Sequence, residues 1–192
     1  MHPHRRANGR RGASLSREKQ GGLVRVARET FFVGHQLNAV DGKGRVSVPA
    51  AFRAQLERRA QEDGKEAVKE LMIAPSPKGD RLRAFDPAGV RDRDAKFSAR
   101  VADLPAAERT DAEEDAFRDE LATATPVAFD SAGRMVLPPI LRKLGKIGDL
   151  AFFVGVRDYF EILSPENARI AFANNAMMLG MLDHYLEERG EA

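Results

Sequence analysis

The chain has 192 residues, of which 43% are hydrophobic and 31% charged, long enough to bury a sizeable core and polar enough to read as soluble and globular. No apolar run approaches the roughly 20 residues needed to cross a bilayer. The absence of cysteine removes disulfides, thiol nucleophiles and thiolate metal sites together and fits a reducing cytoplasm.

The formal charge of +2 conceals a division, because the first 30 residues hold eight basic and two acidic side chains and leave 23 basic against 27 acidic in the rest. Residues 1–29, rich in Arg, Gly and Ser, are expected to form a disordered basic arm, without the apolar stretch of a secretory signal. Beyond the arm, any nucleic-acid-binding charge must gather on one face. Residues 41–59, with Lys43, Arg45, Arg53, Arg58 and Arg59 against Asp41 and Glu57, are the richest candidate.

Phe31, Phe32, Val33, Leu37 and Val40 predict a strand from Thr30 to Val40, and Asp41-Gly42-Lys43-Gly44 predicts a turn. Arg45 to Val48 reads as a short strand with Arg45 and Ser47 on one face and Val46 and Val48 on the other. Pro49 suits the start of a helix over Ala50 to Gln61, where Phe52 and Leu56 lie four apart. A second strand pair follows, Lys69 to Ala74 and Arg81 to Phe85 around Pro75-Ser76-Pro77-Lys78-Gly79, then a charged helix over residues 87–102 and an acidic one from Leu104-Pro105 to about Leu121. The plan then recurs: a strand from Thr123 to Phe129, a turn over Asp130 to Gly133, a strand from Arg134 to Leu137, and a helix from Pro138-Pro139 through Leu144, with Gly145 as its C-cap. Leu150 to Val156 and Tyr159 to Leu163 predict a hairpin across Arg157-Asp158. Ser164 predicts the N-cap of a single last helix towards Arg189, whose Met177, Met178, Leu179, Met181 and Leu182 suit packing or an oligomer surface better than a cofactor box.

One phrase is said twice. Asp41-Gly42-Lys43-Gly44-Arg45-Val46-Ser47-Val48-Pro49-Ala50-Ala51-Phe52-Arg53 returns as Asp130-Ser131-Ala132-Gly133-Arg134-Met135-Val136-Leu137-Pro138-Pro139-Ile140-Leu141-Arg142, with five identities at an offset of 89 residues. A repeat carrying a turn, a basic residue and a helix start in fixed order implies a pseudo-symmetric object. Neither half has much to bury alone. Interleaving the two would cover strand edges and build a common core.

The motif residues divide by role. Asp41 and Asp130 can bond the backbone two residues on, and Gly44 and Gly133 supply the positive φ that reverses the chain. A strand after a tight turn needs no guanidinium, so Arg45 and Arg134 invite a second account. They either brace the turn against the Asp or stand in solvent, or else they offer an Arg fork to phosphate or to guanine edges in the major groove. Residue chemistry leaves these open. Lys43 at the first turn's tip would add phosphate attraction that Ala132 in the second copy lacks.

The doubled pattern, together with Phe32-Val33-Gly34, Leu37, Leu104-Pro105, Val154-Gly155-Val156 and Phe160-Glu161-Ile162-Leu163-Ser164-Pro165, resembles the MraZ family of bacterial transcriptional regulators over about residues 30–175. The resemblance implies an α+β fold of two tandem AbrB-like swapped-hairpin β-barrel halves with flanking helices. The first repeat would span residues 30–103, a helical linker 104–122, the second repeat 123–175, and the C-terminal helix end and tail 176–192. It also implies a ring-shaped homo-oligomer, associated with the nucleoid in the cytoplasm, that binds short G-rich direct repeats in double-stranded DNA and usually represses the division and cell-wall gene cluster. The DNA-reading elements carry over to Asp41, Lys43 and Arg45 and to Asp130 and Arg134, and Arg53 and Arg142 are counted with them as DNA-binding. The arm before Phe31 lies outside the family pattern, and Gly42 stands where a larger residue is usual.

Two other classes compete. An antitoxin-like AbrB relative would make its main contact with protein, through an extended C-terminal peptide where this chain has an amphipathic helix. An enzyme finds little support, since no nucleophile, metal cluster or phosphate loop accompanies Asp41 and Asp130. No catalytic residue, metal, cofactor, small-molecule substrate or membrane partner is expected.

Overall fold

The two copies of the repeated phrase meet each other. In the computed structural model, which describes residues 30–191 apart from 65, 67, 68, 88, 91–96, 100, 117 and 119–121, β2 (Arg45–Ser47) pairs antiparallel with β6 (Arg134–Val136), placing Val46 opposite Met135. Reciprocal bonds extend this ribbon at both ends, from the Val48 amide to Gly133 O at 2.8 Å and from the Leu137 amide to Gly44 O at 2.9 Å. The expected basic arm lies outside the described residues.

The remaining strands form a six-stranded antiparallel sheet in the order β1-β7-β8-β4-β3-β5. They are β1 (His35–Ala39), β3 (Glu70–Pro75), β4 (Leu82–Phe85), β5 (Thr125–Ala128), β7 (Leu150–Val156) and β8 (Tyr159–Leu163). The order shows a crossing between the halves: β1 lies against the hairpin of the second half, β5 against that of the first, and β8 and β4 join the hairpins at the centre. Among the described residues the molecule is thus α+β with antiparallel pairing throughout. The helices are α1 (Ala50–Glu62), α2 (Ala106–Ala116), α3 (Pro139–Gly145), α4 (Pro165–Ala171) and α5 (Ala176–Glu188).

The core lies between the sheet and the ribbon with its helices. Val46, Val48, Phe52 and Leu56 enter it from the first half, Met135, Leu137 and Leu141 from the second, and Leu71, Ile73, Phe153 and Ile162 from the sheet. At its centre Phe160 holds Phe32, Phe52 and Phe153 with ring centroids 5.2, 4.9 and 6.0 Å away. Each such aromatic pair contributes about 0.5–1.5 kcal/mol beyond burial alone. The opposite face of β1, β7 and β8 is covered by Ala168, Leu182 and Leu186 of the C-terminal helices against Leu37, Phe152 and Leu163.

Several boundaries differ from expectation, each for a local reason. The first strand starts at His35 because Gly34 adopts φ +93°, while Phe32 makes an isolated bridge with Arg157. Lys146, at φ +50°, is the left-handed C-cap of α3 in place of Gly145. Gly145 is needed for close approach instead, since a Cβ there would lie 2.8 Å from Leu82 Cγ. The last helix is two helices, broken at residues 172–175, where the side chain of Asn175 caps α5 by accepting from the Met178 amide at 3.1 Å. The break turns α5 back onto β1, where Tyr185 Oη donates to His35 O at 3.3 Å and Arg189 Nη2 to Leu37 O at 3.0 Å. Met178 and Leu182 then face inward, while Met177 is 74% exposed. The acidic helix is present as α2. Of its expected end, residues 117 and 119–121 lie outside the described residues, as do 88, 91–96 and 100 of the helix expected over 87–102, whose described residues 87, 89, 90, 97–99 and 101 are helical.

Candidate nucleic-acid interface

Each turn of the repeated phrase is tied by its aspartate. Asp41 Oδ1 accepts from the amides of Lys43 and Arg45, both at 2.9 Å, and Oδ2 accepts from Arg45 Nε at 2.5 Å. Asp130 does the same with the amides of Ala132 and Arg134, both at 2.9 Å, and with Arg134 Nε at 2.7 Å. The Arg amide bond, followed by the Arg side-chain bond, holds both carboxyls below the usual aspartate value of 3.8. A depressed pKa means that the turn's stabilisation is present above the ordinary aspartate range and is lost only as pH falls through the lower folded value.

Gly44 and Gly133 close the turns at φ +79° and +83°. Each sits under an arginine of the other copy. A Cβ on Gly133 would lie 2.6 Å from Cδ and Nε of Arg53, and one on Gly44 would lie 3.1 Å from Cδ of Arg142. Arg53 also donates through Nη1 to Ser131 O at 3.1 Å and through Nε to Val48 O at 3.3 Å. Arg142 buries its Nε without a hydrogen-bond partner among the described residues. The two helix arginines therefore clasp the opposite turns.

Gly133→Ala is expected to lower the thermal midpoint by about 2–8 °C. The left-handed backbone alone costs a β-carbon about 1–2 kcal/mol, at 2–4 °C per kcal/mol for a chain of this size. Gly42→Ser is the control, since Gly42 has open space where a Cβ would go. Equal midpoints for the two variants in differential scanning fluorimetry would refute this.

Alternation along the ribbon buries Val46 and Met135 and turns Arg45, Ser47, Arg134 and Val136 to the other face. The Arg45 and Arg134 side chains are 59% and 69% exposed and stand at diagonal corners, since Arg45 is opposite Val136 and Arg134 opposite Ser47. An open groove of about 630 Å³ is lined by both arginines, both turn aspartates, Ala39, Ser47 and Val136 among others. Each guanidinium is held through Nε, and its Nη groups have no partner among the described residues. Lys43 is exposed at the first turn's tip.

One part of the sequence-based basic face is overturned. Arg59, counted with Lys43, Arg45, Arg53 and Arg58, is 0% exposed and contributes nothing to a surface. Its Nε donates to Asp86 Oδ2 at 2.9 Å, its Nη1 to Thr30 O at 3.3 Å, and its guanidinium carbon lies 4.9 Å from the Phe32 ring centroid. Val136, by contrast, is 52% exposed and shares the arginine face, where alternation from Arg134 places it. Among the described residues no group of three His, Asp or Glu side chains is arranged to hold a metal ion, and no helix is long and apolar enough to cross a membrane.

No protein-family model matches the chain. Among curated proteins it is 33% identical over 147 residues to the transcriptional regulator MraZ of Rickettsia typhi, covering 75% of this chain and 89% of that one. It is 35% identical over 141 residues to the transcriptional regulator MraZ of Rhodospirillum rubrum, covering 70% of this chain and 79% of that one. The protein of the same name from Gluconobacter oxydans is 33% identical over 141 residues, covering 72% of this chain and 79% of its own.

Proposed function

We propose that this chain, which belongs to the MraZ family of transcriptional regulators, binds double-stranded DNA through the β2–β6 ribbon and regulates transcription from that site. The observation that carries the reading is the presentation of both motif arginines on one exposed ribbon face, each gripped through Nε by its own turn aspartate. A two-stranded ribbon fits the major groove of B-DNA, and an Arg fork matches O6 and N7 of guanine. Holding Nε leaves both Nη groups for the base, so bracing and reading are compatible in one side chain. The aspartate pre-orders a long, flexible group that would otherwise lose rotamer freedom on binding.

The other site residues divide around this pair. Lys43 adds phosphate attraction at the tip of the first turn. Arg53 and Arg142 act through the turns they clasp, as positioning residues. Asp41, Gly44, Asp130 and Gly133 shape the loops that carry the readers.

The finer reading follows the family resemblance. Residues 30–103 and 123–175 are two AbrB-like swapped-hairpin repeats, joined by a helical linker over 104–122 and closing on each other as a barrel. The crossing of β1 and β5 between the halves supports this. Ring-shaped homo-oligomers at the nucleoid bind short G-rich direct repeats and repress the division and cell-wall gene cluster. Several motifs on one ring add weak contacts through effective concentration. Nothing in this reading calls for a cofactor or a catalytic step.

The test is a fluorescence anisotropy titration of the promoter DNA of the chain's own neighbouring genes against a scrambled duplex, between about 50 and 200 mM salt. Preference for the promoter by about 10³-fold or more is expected. A steep salt dependence with equal affinity for both duplexes reports phosphate contacts only and overturns the reading.

A further inference from the structure

We infer that Val136 reads the 5-methyl group of a thymine beside the guanine taken by Arg45, an inference that rests on the DNA-binding reading above. Val136 is 52% exposed, and it is the apolar member of the four side chains on the ribbon's outer face. Its neighbours Met135 and Leu137 are buried, so the core is filled without it. It lies directly opposite Arg45 in the ribbon. Cross-strand β-carbons stand about 4.5–5.5 Å apart, which spans one to two base steps of about 3.4 Å.

The major groove offers few apolar targets, and the thymine methyl is the one an aliphatic side chain can meet. The equivalent position in the first copy, 89 residues earlier, is Ser47, opposite Arg134. One end of the ribbon therefore pairs an arginine with an apolar group, and the other pairs an arginine with a hydroxyl that donates or accepts. The backbone is close to two-fold, but its chemistry is oriented. Such a ribbon distinguishes a guanine flanked by thymine from one flanked by cytosine at the Arg45 end, and it favours a non-palindromic site.

The experiment begins with selection of duplexes from a random library by the full wild-type chain. Selected duplexes are resynthesised with deoxyuridine for thymidine, one position at a time, which removes only the methyl. Wild-type and Val136→Ala proteins are then titrated with both forms. The wild type is expected to lose about fourfold in affinity at one thymine adjacent to a guanine, the effect of one buried methyl. Val136→Ala is expected to bind the thymine and uracil duplexes equally. Equal binding of both forms by the wild type at every position, with selected DNA still preferred over scrambled, overturns the role of Val136 and leaves DNA reading intact. Persistence of the thymine preference in Val136→Ala assigns the methyl to another group and also overturns it. Failure to enrich any sequence removes both the inference and the reading beneath it.

Discussion

Arg45→Ala is expected to weaken binding to the chain's operator by roughly 5- to 150-fold for each motif engaged, the range of one good bidentate Arg–guanine pair. An oligomer presenting several motifs multiplies that loss towards the non-specific level. The thermal midpoint is expected to stay within about 2 °C of the wild type, because Arg45 is mostly solvent-exposed and its pair with Asp41 is screened by water. The turn keeps its backbone bonds from Lys43 and Arg45 to Asp41 without the guanidinium. Anisotropy titrations paired with scanning fluorimetry measure both halves of the statement. Unchanged operator affinity would remove the central assignment. Arg134→Ala should cost less, since Ala132 stands where the first copy has Lys43, and a larger loss there would reverse the order of the two copies.

The second large effect is on stability. Arg59→Ala is expected to cost about 3–5 kcal/mol, the usual result of removing one partner from a buried ion pair. That corresponds to a fall of about 6–20 °C in the thermal midpoint. Three contacts are lost: the bond to Asp86 Oδ2, the bond to Thr30 O, and the guanidinium placed over the Phe32 ring. Phe32 in turn packs on Phe52 and Phe160, so the substitution reaches the aromatic centre that joins the halves. Arg58→Ala, one residue away and exposed, should stay within about 0.5 kcal/mol. Equal midpoints for the two variants would show that the buried pair does not hold the fold.

Sequence alone determined whatever is decided within about four residues. An aspartate opening a turn can reach the amides two and four residues on, a glycine can take positive φ, and a strand three residues long must alternate its faces. Those rules were enough for the two turns, the ribbon strands, both central hairpins and the outward direction of Arg45. The doubled phrase was equally legible, because a spacing conserved within one chain needs no tertiary information.

Tertiary structure decided what depends on residues meeting across long separations. Arg58 and Arg59 have the same chemistry and differ only in which faces Asp86, 27 residues further on. Arg53 and Arg142 read as surface cations until the opposite turns arrive beneath them. The break before Asn175 exists because α5 folds back onto β1, some 150 residues earlier in the chain. Bracing and base reading looked like rivals for one guanidinium, yet the geometry gives Nε to the aspartate and leaves the Nη groups outward. Burial is a property of the assembled sheet and ribbon, and a local pattern carries no record of which distant element will supply the other side.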